Sequence, residues 1–321
     1  MTATPEQAQL FAQTFDRLVA NVCVAIVGKE HAVRLALTCL LSDGHLLLED
    51  YPGTGKTSLA KALARSVQGS NSRIQFTPDL LPSDVTGVTI YDQRKQEFEF
   101  HRGPIFAAIV LADEINRASP KTQSALLEVM EEGRVTVDGK PYEVGKPFMV
   151  IATQNPVEQA GTYRLPEAQL DRFLMKTSLG YPDHNATVAL LTAAAVRDRS
   201  VQVQPAISTA AVGQLSATAD QVHVDAAVLG YITRIAEASR EHEHVRLGVS
   251  VRGCLAFVRC AKTWAMTKGR HYVTPEDVKE LATPVLSHRV LLNPQAQFDG
   301  VSVDDVIAKL LADVPPPVAR G

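Results

Sequence analysis

The segment DYPGTGKT, at residues 50–57, decides the fold. It follows a short apolar run, HLLLED at residues 45–50, and precedes SLAKALARSVQ, in which apolar residues recur at helical spacing. A glycine-rich loop that ends in Gly-Lys-Thr between a strand and a helix is typical of a phosphate-binding loop. Glycines let the backbone wrap a phosphate with its N–H groups pointing inward, and the following helix adds its positive N-terminal end. The sequence therefore predicts a P-loop here.

Two side chains of this loop have predicted roles of their own. The ammonium group of Lys56 would reach the β- and γ-phosphates, and the hydroxyl of Thr57 would hold Mg²⁺. The usual pattern, GxxxxGK[ST], begins with glycine, whereas this loop begins with Asp50. Because the two turn-forming glycines are kept, we expect the loop to close. The predicted phosphate-binding residues are Pro52, Gly53, Thr54, Gly55, Lys56, Thr57 and Ser58.

A second apolar run ends in two acids. AAIVLADE, at residues 107–114, is apolar up to Asp113 and Glu114, which is typical of a strand buried on both faces of a parallel sheet. We predict that Asp113 binds Mg²⁺, directly or through water, and that Glu114 orients and deprotonates the attacking water. The alternative is that both acids only favour the N-terminus of the next helix.

The character of the chain changes near residue 180. Before it, apolar strands alternate with helices, LPSDVTG at residues 81–87 is predicted as a loop, and the segments 89–100 and 134–144 alternate like β-hairpins. After Pro182 no strand is predicted. Short helices are expected at residues 183–198, 208–219, 225–240, 250–268, 275–289 and 303–313. The predicted division is an α/β core at residues 1–180, a helical domain at 181–312 and a disordered tail at 313–321.

Composition limits the classes of function. The formal net charge of the chain is −3, which argues against a nucleic-acid partner, since such proteins usually carry a basic face. No two of the four cysteines are spaced as CxxC, so neither a zinc ribbon nor a redox pair is predicted. No signal-like N-terminus and no run of about 18 apolar residues is present in the sequence. These features predict a reduced, cytoplasmic protein without a membrane span.

The order of the motifs resembles the MoxR branch of the AAA+ ATPases. The matching segments are GKE at 28–30, PGTGKT, TPDLLPSDVTG, the first hairpin, LADEINRASPKTQSALLEVMEE, the second hairpin, ATQNP and LPEAQLDRF. The resemblance is strong over about residues 15–180. It implies a P-loop core with a five-stranded parallel sheet, helices on both faces and two hairpin inserts, the first in helix 2, followed by an all-α lid.

The resemblance also implies roles for further residues. Asn155 matches sensor 1, which helps place the water, and Arg172 in LDRF matches the arginine finger that reaches a neighbour's γ-phosphate. Arg252 in GVSVRG matches sensor 2 at the start of a lid helix. Val27 and Gly28 would line the adenine pocket through their backbone. The alternatives are a turn asparagine before proline and ordinary surface arginines.

For function, the resemblance implies ATP hydrolysis with ATP and Mg²⁺ in a homo-oligomeric ring, commonly a hexamer. Family members often act on proteins with von Willebrand factor A domains and are thought to mature, activate or remodel client proteins. Three alternatives stay open at this point. They are a nucleic-acid motor, a scaffold that binds nucleotide without hydrolysing it, and a chelatase-type motor that inserts a metal with other subunits.

Overall fold

The computed structural model describes residues 2–155, 162–192 and 198–317. The elements up to residue 180 are α1 (Pro5–Cys23), α2 (Glu30–Leu41), β1 (Leu46–Glu49), α3 (Lys56–Ser66), β2 (Asn71–Gln75), α4 (Pro82–Thr86), β3 (Gly87–Asp92), β4 (Glu97–Arg102), β5 (Ile109–Asp113), α5 (Pro120–Glu132), β6 (Arg134–Val137), β7 (Lys140–Glu143), β8 (Met149–Gln154), α6 (Glu167–Leu170) and β9 (Met175–Thr177). The later elements are α7 (His184–Thr192), α8 (Thr209–Asp220), α9 (Ala226–Glu241), β10 (Val245–Leu247), α10 (Val251–Thr267), α11 (Pro275–Leu286), β11 (Leu291–Leu292), α12 (Pro294–Phe298) and α13 (Val303–Asp313).

Five strands form one sheet in the order β2-β5-β8-β1-β9, which confirms the predicted sheet. The pairs β2–β5, β5–β8 and β1–β8 are all parallel. β8 therefore lies between β5, which carries the predicted acids at its end, and β1, which leads into the predicted P-loop. Because parallel strands have their carboxyl ends at one edge of the sheet, this order places the three strand ends side by side.

Both faces of the sheet are buried. Side chains alternate along each strand, so Leu47 and Val110 point to one face, in a cluster with Leu126. Leu46 and Leu111 point to the other face and are equally inaccessible. All five residues of β5 are buried, which explains the continuous apolar run that predicts this strand.

Two β-hairpins lie outside this sheet, as predicted. In the first, β3 pairs with β4 over six residue pairs, and in the second, β6 pairs with β7 over four. The turn of the second hairpin is Asp138-Gly139, where both residues have positive φ, as Asp-Gly turns require. The rings of Phe100 in β4 and Tyr142 in β7 lie 4.2 Å apart, so the two hairpins contact each other.

Two local predictions were wrong. Residues 82–86, expected as a loop, form α4, in which proline occupies the first turn and the Asp84 carboxylate accepts from the Leu81 N–H at 2.9 Å. The expectation of no strand after Pro182 missed the antiparallel pair β10–β11. Elements of five, three and two residues are too short for their side-chain period to be read from sequence.

By their contacts, the residues fall into two compact units. One comprises residues 17–173 and 177–213, and the other comprises residues up to 16, residues 174–176 and the chain from 214 onward. The domain boundary that the sequence predicts at residues 180–181 stays a prediction. Part of the predicted helix, residues 193–197, and the end of the predicted tail, residues 318–321, lie outside the described residues. In the described part of the chain, no helix is both long and apolar enough to cross a membrane.

Candidate functional site

The predicted P-loop connects β1 to α3. Gly53 and Gly55 have φ of 80° and 97°, in the left-handed region that favours glycine, so the backbone of the loop depends on both. The hydroxyl of Thr54 donates to the Tyr51 carbonyl at 3.2 Å, and the ammonium of Lys56 donates to the same oxygen at 2.8 Å. These two bonds hold the loop closed around the Tyr51 carbonyl. Helix α3 begins at Lys56.

Asp50, the residue that departs from the usual motif, is buried and has a defined role in the loop. Its N–H donates to the Gln154 carbonyl at 3.0 Å, which extends the β1–β8 pairing by one residue. Its carboxylate accepts from the N–H groups of Leu179 and Gly180, at 2.5 and 3.1 Å. The acid therefore fixes the entrance of the loop to the chain that follows β9.

The segment around Val27 and Gly28 lies against this same part of the chain. Lys29 donates through Nζ to the Tyr181 carbonyl. Gly28 has a φ of +74°, and a Cβ at this position would lie 2.8 Å from the Cβ of Ala186, so a side chain would not fit. The ring of Tyr181 stacks on that of Tyr51 with their centroids 5.7 Å apart, which brings the two predicted nucleotide-binding segments close together.

Asp113 has partners for both of its carboxylate oxygens. Oδ1 accepts from the Thr153 hydroxyl at 2.7 Å. Oδ2 accepts from the guanidinium of Arg73, with Nη2 at 2.6 Å and Nε at 3.2 Å. The Thr153 oxygen also accepts from the N–H of Glu114 at 2.9 Å. Since Thr153 precedes Gln154, the bond partner of Asp50, β8 connects the predicted P-loop to both acids.

Glu114 is held in an unusual backbone conformation. Its φ and ψ of 57° and 49° are left-handed, which is uncommon outside glycine and often marks a functional position. The turn aims the side chain back toward β2, where Oε2 accepts from Nε2 of Gln75 at 2.7 Å. The same oxygen accepts from Arg117 at 3.0 Å.

The other three residues assigned through the family resemblance, besides Val27 and Gly28, lie in different places. Asn155 directly follows β8, and thus lies between the ends of β5 and β1 in the sheet order. Arg172 follows α6 and forms an ion pair with Glu131 of α5 at 2.9 Å. Arg252 is the second residue of α10 and belongs to the other compact unit.

Sequence reasoning missed Arg73, Gln75 and Thr153. A signal was present for the first two, because the segment RIQ at residues 73–75 alternates polar and apolar side chains, which in a strand places Arg73 and Gln75 on one face. Nothing in the sequence, however, assigned β2 to the position beside β5. The hydroxyl of Thr153 gave no local signal at all.

This fold and site define the class of AAA+ ATPases. Residues 45–175 match the family described as "ATPase family associated with various cellular activities (AAA)", and residues 237–310 match the AAA lid domain. A solved structure from Cytophaga hutchinsonii, described provisionally as an ATPase, superposes with a TM-score of 0.91 at 38% identity and covers 98% of both chains.

Proteins with similar sequences identify the family within this class. YeaC of Bacillus subtilis, itself uncharacterised, is 47% identical over 95% of both chains. Chaperone MoxR1 of Mycobacterium tuberculosis is 41% identical over 94% of this chain and 82% of its own length. Protein MoxR of Paracoccus denitrificans is 31% identical over 92% of this chain and 94% of its own length. The chain belongs to the MoxR family of AAA+ ATPases.

Proposed function

We propose that the protein binds ATP with Mg²⁺ at the end of β1, hydrolyses it, and uses the hydrolysis to remodel a client protein. One observation carries this proposal. A glycine loop between β1 and α3 is connected through β8 to two acids at the end of β5, by the Asp50–Gln154 bond and the bonds of Thr153. A triphosphate held by that loop would lie next to both acids.

Binding of the nucleotide rests on the loop backbone and on Lys56. N–H groups of residues 53–57 would contact the phosphates, supported by the positive N-terminus of α3. The ammonium of Lys56 donates to the Tyr51 carbonyl in this structure. When nucleotide binds, it would donate to the β- and γ-phosphates instead. Val27 and Gly28 would contact the adenine, and Arg252 would contact the nucleotide as the predicted sensor 2 residue.

The side chains near the loop suit magnesium. Thr57 offers a hydroxyl and Asp113 a carboxylate, and Mg²⁺ prefers such oxygen ligands together with water and phosphate. When bound, the ion would neutralise charge on the β- and γ-phosphates. Because Asp113 already accepts from Arg73 and Thr153, it would reach the ion through water or by giving up one of these partners.

Hydrolysis would depend on Glu114. Its carboxylate would accept the proton of the attacking water, and the bonds from Gln75 and Arg117 would fix its direction. Asn155 would help place the water. Arg172 would stabilise the developing charge on the γ-phosphate of a neighbouring subunit.

We further propose a ring of identical subunits, hexameric as in other AAA+ proteins, in which each site is completed by the next subunit. The client role is supported by the name of the Mycobacterium tuberculosis relative, a chaperone. A protein with a von Willebrand factor A domain is the partner that the family suggests. The hairpins β3–β4 and β6–β7, which contact each other, are the elements that would transmit the nucleotide state to the client.

Two substitutions test the site. Lys56→Ala should weaken ATP binding about 10- to 100-fold, since a hydrogen bond to a charged group contributes about 1.5–3 kcal/mol. Glu114→Gln should leave binding nearly unchanged and slow turnover about 10²- to 10⁴-fold, the usual contribution of a general base. Calorimetry measures the first, and phosphate release measures the second.

Lys95→Ala is the control, because that lysine lies in the first hairpin and pairs with Glu99. It should bind and hydrolyse ATP like the wild type. Wild-type protein that takes up no nucleotide, or Lys56→Ala protein that binds as tightly as wild type, would overturn the proposed site.

A further inference from the structure

We propose that Arg73 is a positioning residue that competes with Mg²⁺ for Asp113, and so sets the magnesium concentration at which nucleotide binds. The inference rests on the proposed function of the site. The starting observation is that the guanidinium of Arg73 places two nitrogens on one oxygen of Asp113, Nη2 at 2.6 Å and Nε at 3.2 Å. This is the acid to which the magnesium role is assigned.

The register of the sheet explains how Arg73 reaches this acid. Arg73 pairs with Leu111, whereas Gln75 stands opposite Asp113. The Arg73 side chain therefore extends two residues along the sheet, toward the carboxyl ends of the strands. Its neighbour Ile74 points to the opposite face, into the buried cluster, which anchors β2 while leaving Arg73 at the site.

Arg73 also orders the second acid. Its Nη2 donates to Oε1 of Gln75 at 2.9 Å, so the amide of Gln75 is oriented with Nε2 toward Glu114, to which it donates at 2.7 Å. A single guanidinium thus fixes the direction of Asp113 directly and of Glu114 through one amide. A change in the position of Arg73 would therefore alter the orientation of both carboxylates.

A divalent cation and this guanidinium cannot share the same carboxylate oxygen without cost. The second oxygen of Asp113 is occupied by the Thr153 hydroxyl, and the side chain is only 11% exposed, so little water is available to screen two positive groups. Arg73 is 51% exposed and can turn toward solvent, whereas Asp113 is held by the strand. Metal binding should therefore displace Arg73, and loss of Arg73 should favour the metal.

The test compares nucleotide affinity with and without magnesium. Affinity for a fluorescent, non-hydrolysable ATP analogue is measured in EDTA and across a Mg²⁺ titration, for wild type, Arg73→Gln and Arg73→Lys. In Arg73→Gln, the ratio of affinity with magnesium to affinity in EDTA should rise at least several-fold, and the magnesium midpoint should fall. In Arg73→Lys, the same ratio should lie between those of wild type and Arg73→Gln, since lysine keeps the charge but not the planar donor pair.

Arg134→Gln is a matched control. Arg134 contacts Glu132 at 3.0 Å and is 49% exposed, close to the exposure of Arg73, but it lies in the second hairpin. Its ratio should equal that of wild type. An unchanged or lower ratio in Arg73→Gln would overturn the inference while leaving the proposed function intact. A wild type that binds no nucleotide at all would overturn the proposed function and this inference together.

A structural measurement covers the case in which Arg73→Gln fails to fold. In a crystal structure of the wild type with Mg²⁺ and the same analogue, Nη2 of Arg73 and Oδ2 of Asp113 should lie beyond hydrogen-bond distance. If they remain in contact while the metal is bound at the site, the inference is wrong.

Discussion

Asp50 decides how the predicted phosphate loop is anchored. A glycine at this position would supply only a turn, whereas the carboxylate accepts two N–H groups from Leu179 and Gly180. These donors belong to the chain after β9, which is 129 residues further along. A buried donor without a partner is costly, so the position should be sensitive to substitution.

Replacing Asp50 by alanine should lower the free energy of unfolding by about 2–4 kcal/mol, because it leaves the buried N–H of Leu179 and the partly buried N–H of Gly180 without this acceptor. Asp50→Asn keeps one acceptor oxygen, so its free energy of unfolding should fall by less than that of Asp50→Ala. Urea denaturation of the two variants and wild type measures the difference. Equal losses for alanine and asparagine, or none for either, would show that the two N–H groups do not depend on this carboxylate.

Among the elements, α11 illustrates how a helix start is stabilised in the helical part. Thr274 caps it, and the Asp277 carboxylate accepts from the Thr274 N–H at 2.9 Å. The same carboxylate, fully buried, accepts two bonds from Arg270 at 2.6 and 2.8 Å. Burial raises the pKa of Asp277, but the bonds from Arg270 and Thr274 outweigh it and hold the pKa below the ordinary value of 3.8.

Because the folded pKa of Asp277 is lowered, its contribution to stability is present above about pH 3.8 and is lost as the pH falls through the folded value. Asp277→Asn should therefore lower the free energy of unfolding by about 2–4 kcal/mol at pH 7, since it removes the negative charge that pairs with the Arg270 guanidinium. The difference from wild type should shrink as the pH is lowered below 3.8.

Trp264, the single tryptophan of the chain, reports on this unit, because its Nε1 donates to Glu280 of α11. Its fluorescence in urea is the measurement. Glu276→Gln is the control, as Glu276 lies on the same turn, is 66% exposed and pairs with Lys279. If Asp277→Asn lowers the free energy of unfolding no more than Glu276→Gln does, the Asp277–Arg270 pair does not stabilise the fold as proposed.

The elements α5 and α6 restrain the predicted arginine finger. Arg172 pairs with Glu131 of its own chain, and its Nε is buried without a hydrogen-bond partner among the described residues. To reach a neighbouring subunit, Arg172 would have to leave Glu131. A partly exposed ion pair contributes about 0.2–1 kcal/mol, so this restraint is weak.

Glu131→Gln should consequently raise ATP turnover by up to about 5-fold, the factor that corresponds to 1 kcal/mol. Steady-state phosphate release at saturating ATP measures the change. Glu128→Gln, one turn earlier on α5 and exposed, should have no effect. A decrease in turnover with Glu131→Gln would instead mean that Glu131 holds Arg172 in its working position.

The whole molecule is proposed to work as a ring, and mixtures of inactive subunits test this directly. Glu114→Gln subunits lack the base but keep Arg172, and Arg172→Ala subunits keep the base. If the arginine acts on the next subunit, mixed rings contain some complete sites, and the mixture should recover part of the turnover that each variant lacks. No recovery at any ratio, together with full wild-type activity in a monomer fraction, would exclude a site shared between subunits.

Much of the core could be predicted because its signals are local. Gly53 and Gly55 mark a loop that needs left-handed backbone, and continuous apolar runs mark strands buried on both faces. The Asp-Gly turn at 138–139, in the predicted hairpin at 134–144, depends only on neighbours within a few residues. Short elements such as α4 and β10 escaped prediction because they complete too few turns or alternations to leave a period.

By itself, the sequence determined the class of fold, and it predicted a phosphate loop after β1 and two acids, Asp113 and Glu114, at the end of β5. Only the tertiary structure decided which distant groups meet them: Arg73 on Asp113, Gln75 on Glu114 and the N–H groups of Leu179 and Gly180 on Asp50. The reason is physical. Side-chain periods and turn residues act over a few positions, whereas the neighbours of a parallel strand are set by crossover connections and by packing across the whole sheet.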